Sequence, residues 1–277
     1  MKPKTEGSDA GKAVRHILSL SGGKDSAALA VYMRDRVPDM EYIFHDSQME
    51  LPETYAFLER LEAFLGKPIV KTTAERGFDH WYLIYGKMLP SNNRRWCTRQ
   101  LKLKPFEEYV GTDRVMNYIG LRADEQREGY ISHKPNITPV YPFREDGLVY
   151  ADVLRLLEDS GLGLPKYTEW GRTRSGCYFC FYQQKIEWVR LKEKYPDLFD
   201  QAKQYEQAND DKYNPFHWSG NESLVELERP ERIAEIKDDW KKKQAQRQAK
   251  GGRTLLHVLG GAEDEDEDDR ACLICQL

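Results

Sequence analysis

The sequence predicts an α/β protein, a doubly wound parallel sheet with a smaller, mostly helical C-terminal region. Short apolar runs alternate with longer helix-favouring segments between residues 15 and 73, and a glycine-rich turn at 21–23 joins the first run to the first helical stretch. That alternation is the pattern of a parallel sheet with helical crossovers. The 277 residues, 40% hydrophobic and 12% aromatic, suffice to bury roughly three quarters of the unfolded surface without disulfide support.

In chain order, residues 17–20 form the first strand, 26–36 the first helix, 42–44 the second strand, 52–65 the second helix and 68–70 the third strand. A further strand at 115–119 ends at Gly120. Ligands of such sheets bind beyond the carboxyl ends of the strands. Those ends are residues 19–26 and 45–47, with a third loop at 121–127, and the three loops are expected to converge. Prolines, glycines and one helix-like stretch (150–158) make residues 135–180 read as an appended region rather than a continuing sheet. Segments 184–204 and 230–248 are charged and helix-favouring. The expected division is an extension at 1–14, a nucleotide-binding domain at 15–134, a cysteine-containing helical region at 135–250 that completes it, and a mobile acidic tail at 251–277. No repeat of 20 to 50 residues is visible, which excludes a solenoid.

The formal charge of −4 includes an unbroken run of seven acids from Glu263 to Asp269, and without them the remainder carries +3. A mildly basic body suits a polyanionic ligand but lacks the excess of a dedicated nucleic-acid binder. No stretch approaches a membrane span and the first twelve residues are polar, so the expectation is a cytoplasmic protein with no membrane partner. Five cysteines, with two C-x-x-C spacings, favour metal or redox chemistry over a disulfide framework.

Ser19-Leu20-Ser21-Gly22-Gly23-Lys24-Asp25-Ser26 lies between the first strand and the first helix. Two glycines let backbone N–H groups close on an anion, the helix N-terminus adds positive potential, and Ser21, Lys24 and Ser26 supply donors. The segment lacks the G-x-x-x-x-G-K-S/T of kinases and GTPases and the G-x-G-x-x-G of dinucleotide folds. The alternative is an ordinary serine-capped turn.

The SGGKDS segment resembles the PP-loop of the N-type ATP pyrophosphatases, whose fold is of the adenine nucleotide alpha hydrolase, Rossmann-like type. Further blocks are similar to the 3'-phosphoadenylyl sulfate (PAPS) reductase-like branch. They are His45-Asp46-Ser47 with Leu51-Pro52-Glu53-Thr54, Trp96-Cys97-Thr98-Arg99 with Lys102, Lys104 and Pro105, Gly120-Leu121-Arg122-Ala123-Asp124-Glu125 with Arg127, and Ser175-Gly176-Cys177-Tyr178-Phe179-Cys180. Ser47 stands where the branch has glycine. The resemblance implies ATP held by Ser19, Ser21, Gly22, Gly23, Lys24, Asp25 and Ser26, with Asp25 helping to place Mg2+. It also implies His45 and Asp46 beside the nucleoside, with Gly120 and Arg122 forming a phosphate clamp. Lys24, Asp25 and Arg122 are the expected catalytic residues, acting by positioning and charge neutralisation.

The family places Cys97, Cys177 and Cys180 together, a soft-metal set for a four-iron four-sulfur cluster, with zinc or reduced thiols as alternatives. Related cluster-holding reductases have a second cysteine where this chain has Trp96, so Cys272 or Cys275 completes the set or one iron stays open to carry sulfide. The tail pair could relay a persulfide, or be incidental. Arg94, Arg95, Arg99, Lys102 and Lys104, with Trp96 among them, form either a solvated helix face or a strip for a nucleic-acid backbone and a splayed base.

The reductases carry a C-terminal E-C-G-I/L-H motif that is not in this sequence. The remaining blocks resemble the ATP-pyrophosphatase subunits of bacterial DNA phosphorothioation systems of the Dnd and Ssp types. That resemblance implies adenylation of a DNA backbone phosphate, with a cysteine desulfurase and further modification-complex subunits as partners. A sulfonucleotide reductase, a tRNA-thiolating enzyme and a non-catalytic nucleotide sensor are the alternatives.

Overall fold

The computed structural model describes residues 13–126, 129, 132, 134–207, 216–220 and 222–251. Arg127, the acidic run, Cys272, Cys275 and the first twelve residues lie outside them. Strand β1 (Arg15–Leu20) leads into helix α1 (Lys24–Met33), followed by β2 (Glu41–Asp46), α2 (Pro52–Leu65) and β3 (Ile69–Thr73). After α3 (Phe78–Ile84), the short α4 (Trp96–Thr98) runs through a π-helical turn, Arg99–Leu103, into α5 (Lys104–Val110). Strands β4 (Val115–Tyr118) and β5 (Ile137–Val140) follow, then α6 (Pro142–Glu145) and α7 (Tyr150–Asp159). The helical part comprises a 3-10 turn at Lys166–Trp170, α8 (Lys185–Lys194), α9 (Pro196–Gln207), α10 (Leu224–Leu227) and α11 (Pro230–Gly251).

All strand pairs are parallel and the order is β3-β2-β1-β4-β5. The chain moves outward from β1 through β2 to β3, then restarts on the other side of β1 with β4. The reversal places the switch point, and hence the natural ligand crevice, between the carboxyl ends of β1 and β4. Strand alternation builds two faces. Leu18, Leu20, Tyr42, Phe44 and Tyr118 pack with α1, α2 and α7, whereas Ile17, Ile43, Val115 and Ile137 pack with Phe106 and Val110 of α5. The sheet is thus covered on both sides, as the runs of apolar residues in its strands require.

Helix α2 illustrates the local coding. Pro52 occupies its first turn, Thr54, Phe57, Leu58, Leu61 and Leu65 form its buried stripe, and Gly66 ends it in the left-handed conformation with its N–H donated to the Glu62 carbonyl. A third cluster, rich in aromatic residues, joins α3, α4, α8, α9, α10 and α11. In it Phe78 lies 4.5 Å from Phe179 and 5.0 Å from Trp96, and Phe179 lies 5.0 Å from Trp218 between ring centroids.

The expected boundary at residue 134 is corrected. Residues 137–140 are a strand of the main sheet and α7 packs on α1, so the sheet unit extends through α7. Polar and proline residues in Ile137–Val140 hid an edge strand, the position where proline is tolerated. Among the described residues no helix is long and apolar enough to cross a membrane.

The switch point is drawn tight by Gly120. A Cβ built there would stand 2.9 Å from the Asp25 carbonyl oxygen and 3.3 Å from the Ser26 nitrogen. Both are backbone atoms at the start of α1, which cannot give way as a side chain would. Gly120→Ala is expected to cost about 1–3 kcal/mol through forced backbone displacement, read as a lowered midpoint in urea denaturation.

Candidate functional site

The glycine turn after β1 is held by its own serines. The Ser21 N–H donates to Ser26 Oγ at 3.1 Å, Ser26 Oγ donates to the Gly23 carbonyl at 3.2 Å, and the Gly23 N–H donates to Ser21 Oγ at 3.3 Å. Gly22 sits at φ +72°, and a Cβ there would be 2.4 Å from Thr54 Cγ2, so both conformation and space demand glycine. Ser26 therefore shapes the cradle from beneath. Ser19 is corrected as a direct ligand: it is buried, and its hydroxyl donates to Asn117 Oδ1 at 3.2 Å within the sheet.

Lys24, Asp25 and Arg122 come together as expected, but not as bare cations. Asp25 is 3.1 Å from Lys24 Nζ and 2.8 Å from Arg122 Nη1. Arg122 also meets Asp124 at 2.9 Å and Glu125 at 3.2 Å. Burial opposes ionisation of Asp25, yet Lys24 and Arg122 outweigh it and hold its carboxyl below the usual range. The Lys24 ammonium and the Arg122 guanidinium both lie 5.2 Å from the centre of the Tyr150 ring, and the Tyr150 N–H donates to Asp124. The start of α7 is thereby tied to the loop after β4. Three carboxylates thus gather around the Arg122 guanidinium, one of them shared with Lys24.

At the end of β2, Asp46 accepts from the Gln48 N–H and the Tyr55 hydroxyl, both at 2.7 Å. This turn sets Gln48 at φ +62°. His45 points into the α5 face of the sheet, where its Nδ1 bonds Thr72 Oγ1 at 2.7 Å and its ring meets Phe106 edge-on at 5.5 Å. Among the described residues its Nε2 is buried without a partner. Burial, aided by the nearby Lys102 charge, pushes the imidazole down to about 3, so it is neutral. The expected place of His45 beside the nucleoside is corrected to a core position, because its place in the strand alternation turns it toward the α5 side with Ile43.

The segment 172–180 lies across these loops. Ser175 Oγ donates to Ser21 Oγ at 3.4 Å, the Tyr167 hydroxyl donates to the Gly22 carbonyl at 3.4 Å, and the Tyr178 N–H donates to the Met49 carbonyl at 2.8 Å. Arg172, buried to 1% exposure, is the organiser. It donates to the carbonyls of Arg174, Gly176 and Cys177 and to Gln183 Oε1, all at 2.8–3.0 Å. Reading the sequence missed this residue. Its only local signal is an arginine five positions before the first cysteine of a C-x-x-C.

Cys97, Cys177 and Cys180 line one narrow cavity of about 40 Å³ with Ser47, Lys102 and Phe179. Ser47 Oγ lies 3.2 Å from Cys177 Sγ and donates to Glu50 at 3.2 Å. Burial, together with the Glu50 charge, pushes the Cys177 thiol up. Burial likewise pushes the Glu50 carboxyl up, against the opposing Lys102 and Arg172 charges. Three soft donors around one space suit a soft metal chemically. Among the described residues, no three His, Cys, Asp or Glu side chains are grouped closely enough to hold an ion.

The basic cluster is divided. Trp96 and Lys102 are buried, whereas Arg94, Arg99 and Lys104 are exposed and Arg95 is half-buried. Trp96 stacks under Tyr85 at 5.3 Å, so the ring expected to meet a splayed base is covered.

Residues 15–137 match the model of the phosphoadenosine phosphosulfate reductase domain. The chain is 28% identical over 193 residues to an uncharacterised protein of Methanocaldococcus jannaschii, covering 66% of this chain and 45% of that protein. A second protein of that organism is 25% identical over 198 residues, covering 66% and 40%. An uncharacterised nin region protein of Escherichia phage lambda is 28% identical over 155 residues, covering 44% and 52%. The chain thus spans about half the length, or less, of these curated relatives. A solved phosphoadenylyl-sulfate reductase from Candida auris, in a phosphate complex, superposes with a TM-score of 0.47 at 14% identity, over 60% of this chain and 82% of that one. The segment that matches the domain model, residues 15–137, falls within the sheet unit.

Because His45 is neutral in the folded state down to about pH 3 and titrates near 6.5 when unfolded, the unfolded chain binds the extra proton between those values. Stability from this residue is full above pH 6.5 and declines on acidification by up to about 1.4 kcal/mol per pH unit. Denaturation midpoints of the protein and of His45→Gln, followed from pH 7.5 to 4.5, are expected to show a shallower decline in the variant.

Proposed function

We propose that the strand-end site binds ATP with Mg2+ and directs an acceptor oxygen onto the α-phosphorus. The new P–O bond forms as the bond to the bridging oxygen breaks, so the acceptor is adenylated and pyrophosphate leaves. One observation carries this reading: Asp25, Asp124 and Glu125 gather around Arg122 beside the glycine turn. A polyanion entering there needs an accompanying divalent cation, which suits a magnesium nucleotide. The turn's N–H groups and the start of α1 receive the phosphates. Asp25, kept ionised by its two cations, is the carboxylate available to Mg2+, which would neutralise charge developing on the phosphates. Tyr150 limits where Lys24 and Arg122 can swing.

The acceptor we favour is a DNA backbone phosphate prepared for sulfur insertion, with sulfur supplied by a cysteine desulfurase. Arg94, Arg95 and Arg99 support a polyanionic acceptor, since none has a carboxylate partner among the described residues. The same turn contributes Cys97 to the thiol cavity. If Cys97, Cys177 and Cys180 hold a four-iron four-sulfur cluster, it would supply sulfide-transfer chemistry there. The family match of residues 15–137 favours a second reading, reduction of a sulfonucleotide.

Incubation with α-labelled ATP and candidate acceptors is expected to yield AMP and pyrophosphate, with Asp25→Asn slower by about 100-fold or more. Thiol-dependent sulfite release from a sulfonucleotide, without AMP formation from ATP, would replace the reading by the second one. Protein prepared without oxygen is expected to contain iron and acid-labile sulfide that Cys177→Ser loses. Zinc or no metal in that preparation would remove the cluster and leave the ATP chemistry standing.

A further inference from the structure

We propose that Arg174 is the guanidinium that meets the polyphosphate, the role the sequence pattern assigns to Arg122. This inference rests on the nucleotide reading above and identifies which cation of that site is available to the ligand.

The argument is one of charge already committed. Arg122 is surrounded by Asp25, Asp124 and Glu125, at 2.8–3.2 Å, and Lys24 is held by Asp25 at 3.1 Å. A phosphate arriving at either must compete with carboxylates in place. Arg174 differs on each count. It has no carboxylate partner among the described residues, and its Nη1 is buried without any hydrogen-bond acceptor. A buried guanidinium N–H without an acceptor carries a desolvation cost, the larger because the group is charged. A bound anion relieves that cost.

Position supports the same assignment. Arg174 immediately precedes Ser175, whose hydroxyl reaches Ser21 of the glycine turn at 3.4 Å and would stand 2.8 Å from a Cβ on Gly23. The backbone carrying it is fixed. The carbonyls of residues 174, 176 and 177 all accept from the buried Arg172 guanidinium. A cation on a backbone locked against the cradle loses little entropy on binding, and a planar guanidinium can engage two phosphate oxygens at once.

The test compares ATP with adenosine, which lacks phosphate, by titration calorimetry on the full chain. Arg174→Ala is expected to weaken ATP binding about 10- to 100-fold while changing adenosine affinity by less than about twofold, and Arg174→Lys is expected to recover part of the ATP affinity. ATP affinity unchanged in Arg174→Ala overturns the assignment. So does an equal loss for ATP and adenosine, which is the signature of a merely structural residue. A parent protein that binds no ATP overturns the nucleotide reading itself, and this inference with it.

Discussion

The close approach of the loop after β4 to the first turn of α1 is the constraint on which the rest of the site depends. Gly120 has no side chain, and that alone lets the Asp25 carbonyl stand where a Cβ would collide. Once the two segments touch, Arg122 can reach Asp25 from a position 97 residues away. The ion pair then couples the strand that opens the sheet to the strand that restarts it. Parallel sheets of this winding leave a crevice at the reversal because the flanking loops diverge there. Here the crevice is closed at its base by a glycine contact and a half-buried charge assembly, so the loops are held together by the fold itself.

A second constraint comes from the other end of the chain. The segment around Arg172 is not part of the sheet, yet it covers the glycine turn through Ser175 and Tyr167 and borders the second loop through Tyr178. Its shape is set by one buried guanidinium whose N–H groups satisfy three backbone carbonyls and one side-chain oxygen. Tyr178 and Phe179, between the two cysteines, are sunk in the aromatic cluster. The thiols are therefore held at the boundary between the sheet unit and the helical part. The glycine turn and the thiol cavity thus share one connector.

Several site features were legible because they are local. A glycine pair between an apolar strand and a helix has few uses, and the serines at 21 and 26 close their bonds within the same turn. The parallel sheet with helices on both faces followed from where the apolar runs fall and from the handedness of crossovers. Other features failed for an equally physical reason. Ser19 and His45 sit in strands, where a single step of alternation decides whether a side chain faces ligand or core. Strand β5 was obscured because an edge strand buries only part of its surface and carries proline.

Taken alone, the chain's pattern determined the doubly wound sheet and the glycine turn between its first strand and first helix, since periodicity and short-range turn chemistry encode them directly, whereas Arg122 was joined to Lys24 and Asp25 only through the family resemblance. Only the tertiary structure decided which cations are already neutralised, that His45 is a buried neutral ring, and that Arg172 serves the cysteine turn. Those properties are set by burial and by partners far away in sequence. An arginine paired with three carboxylates and one whose Nη1 finds no acceptor among the described residues are the same letter until the chain is folded.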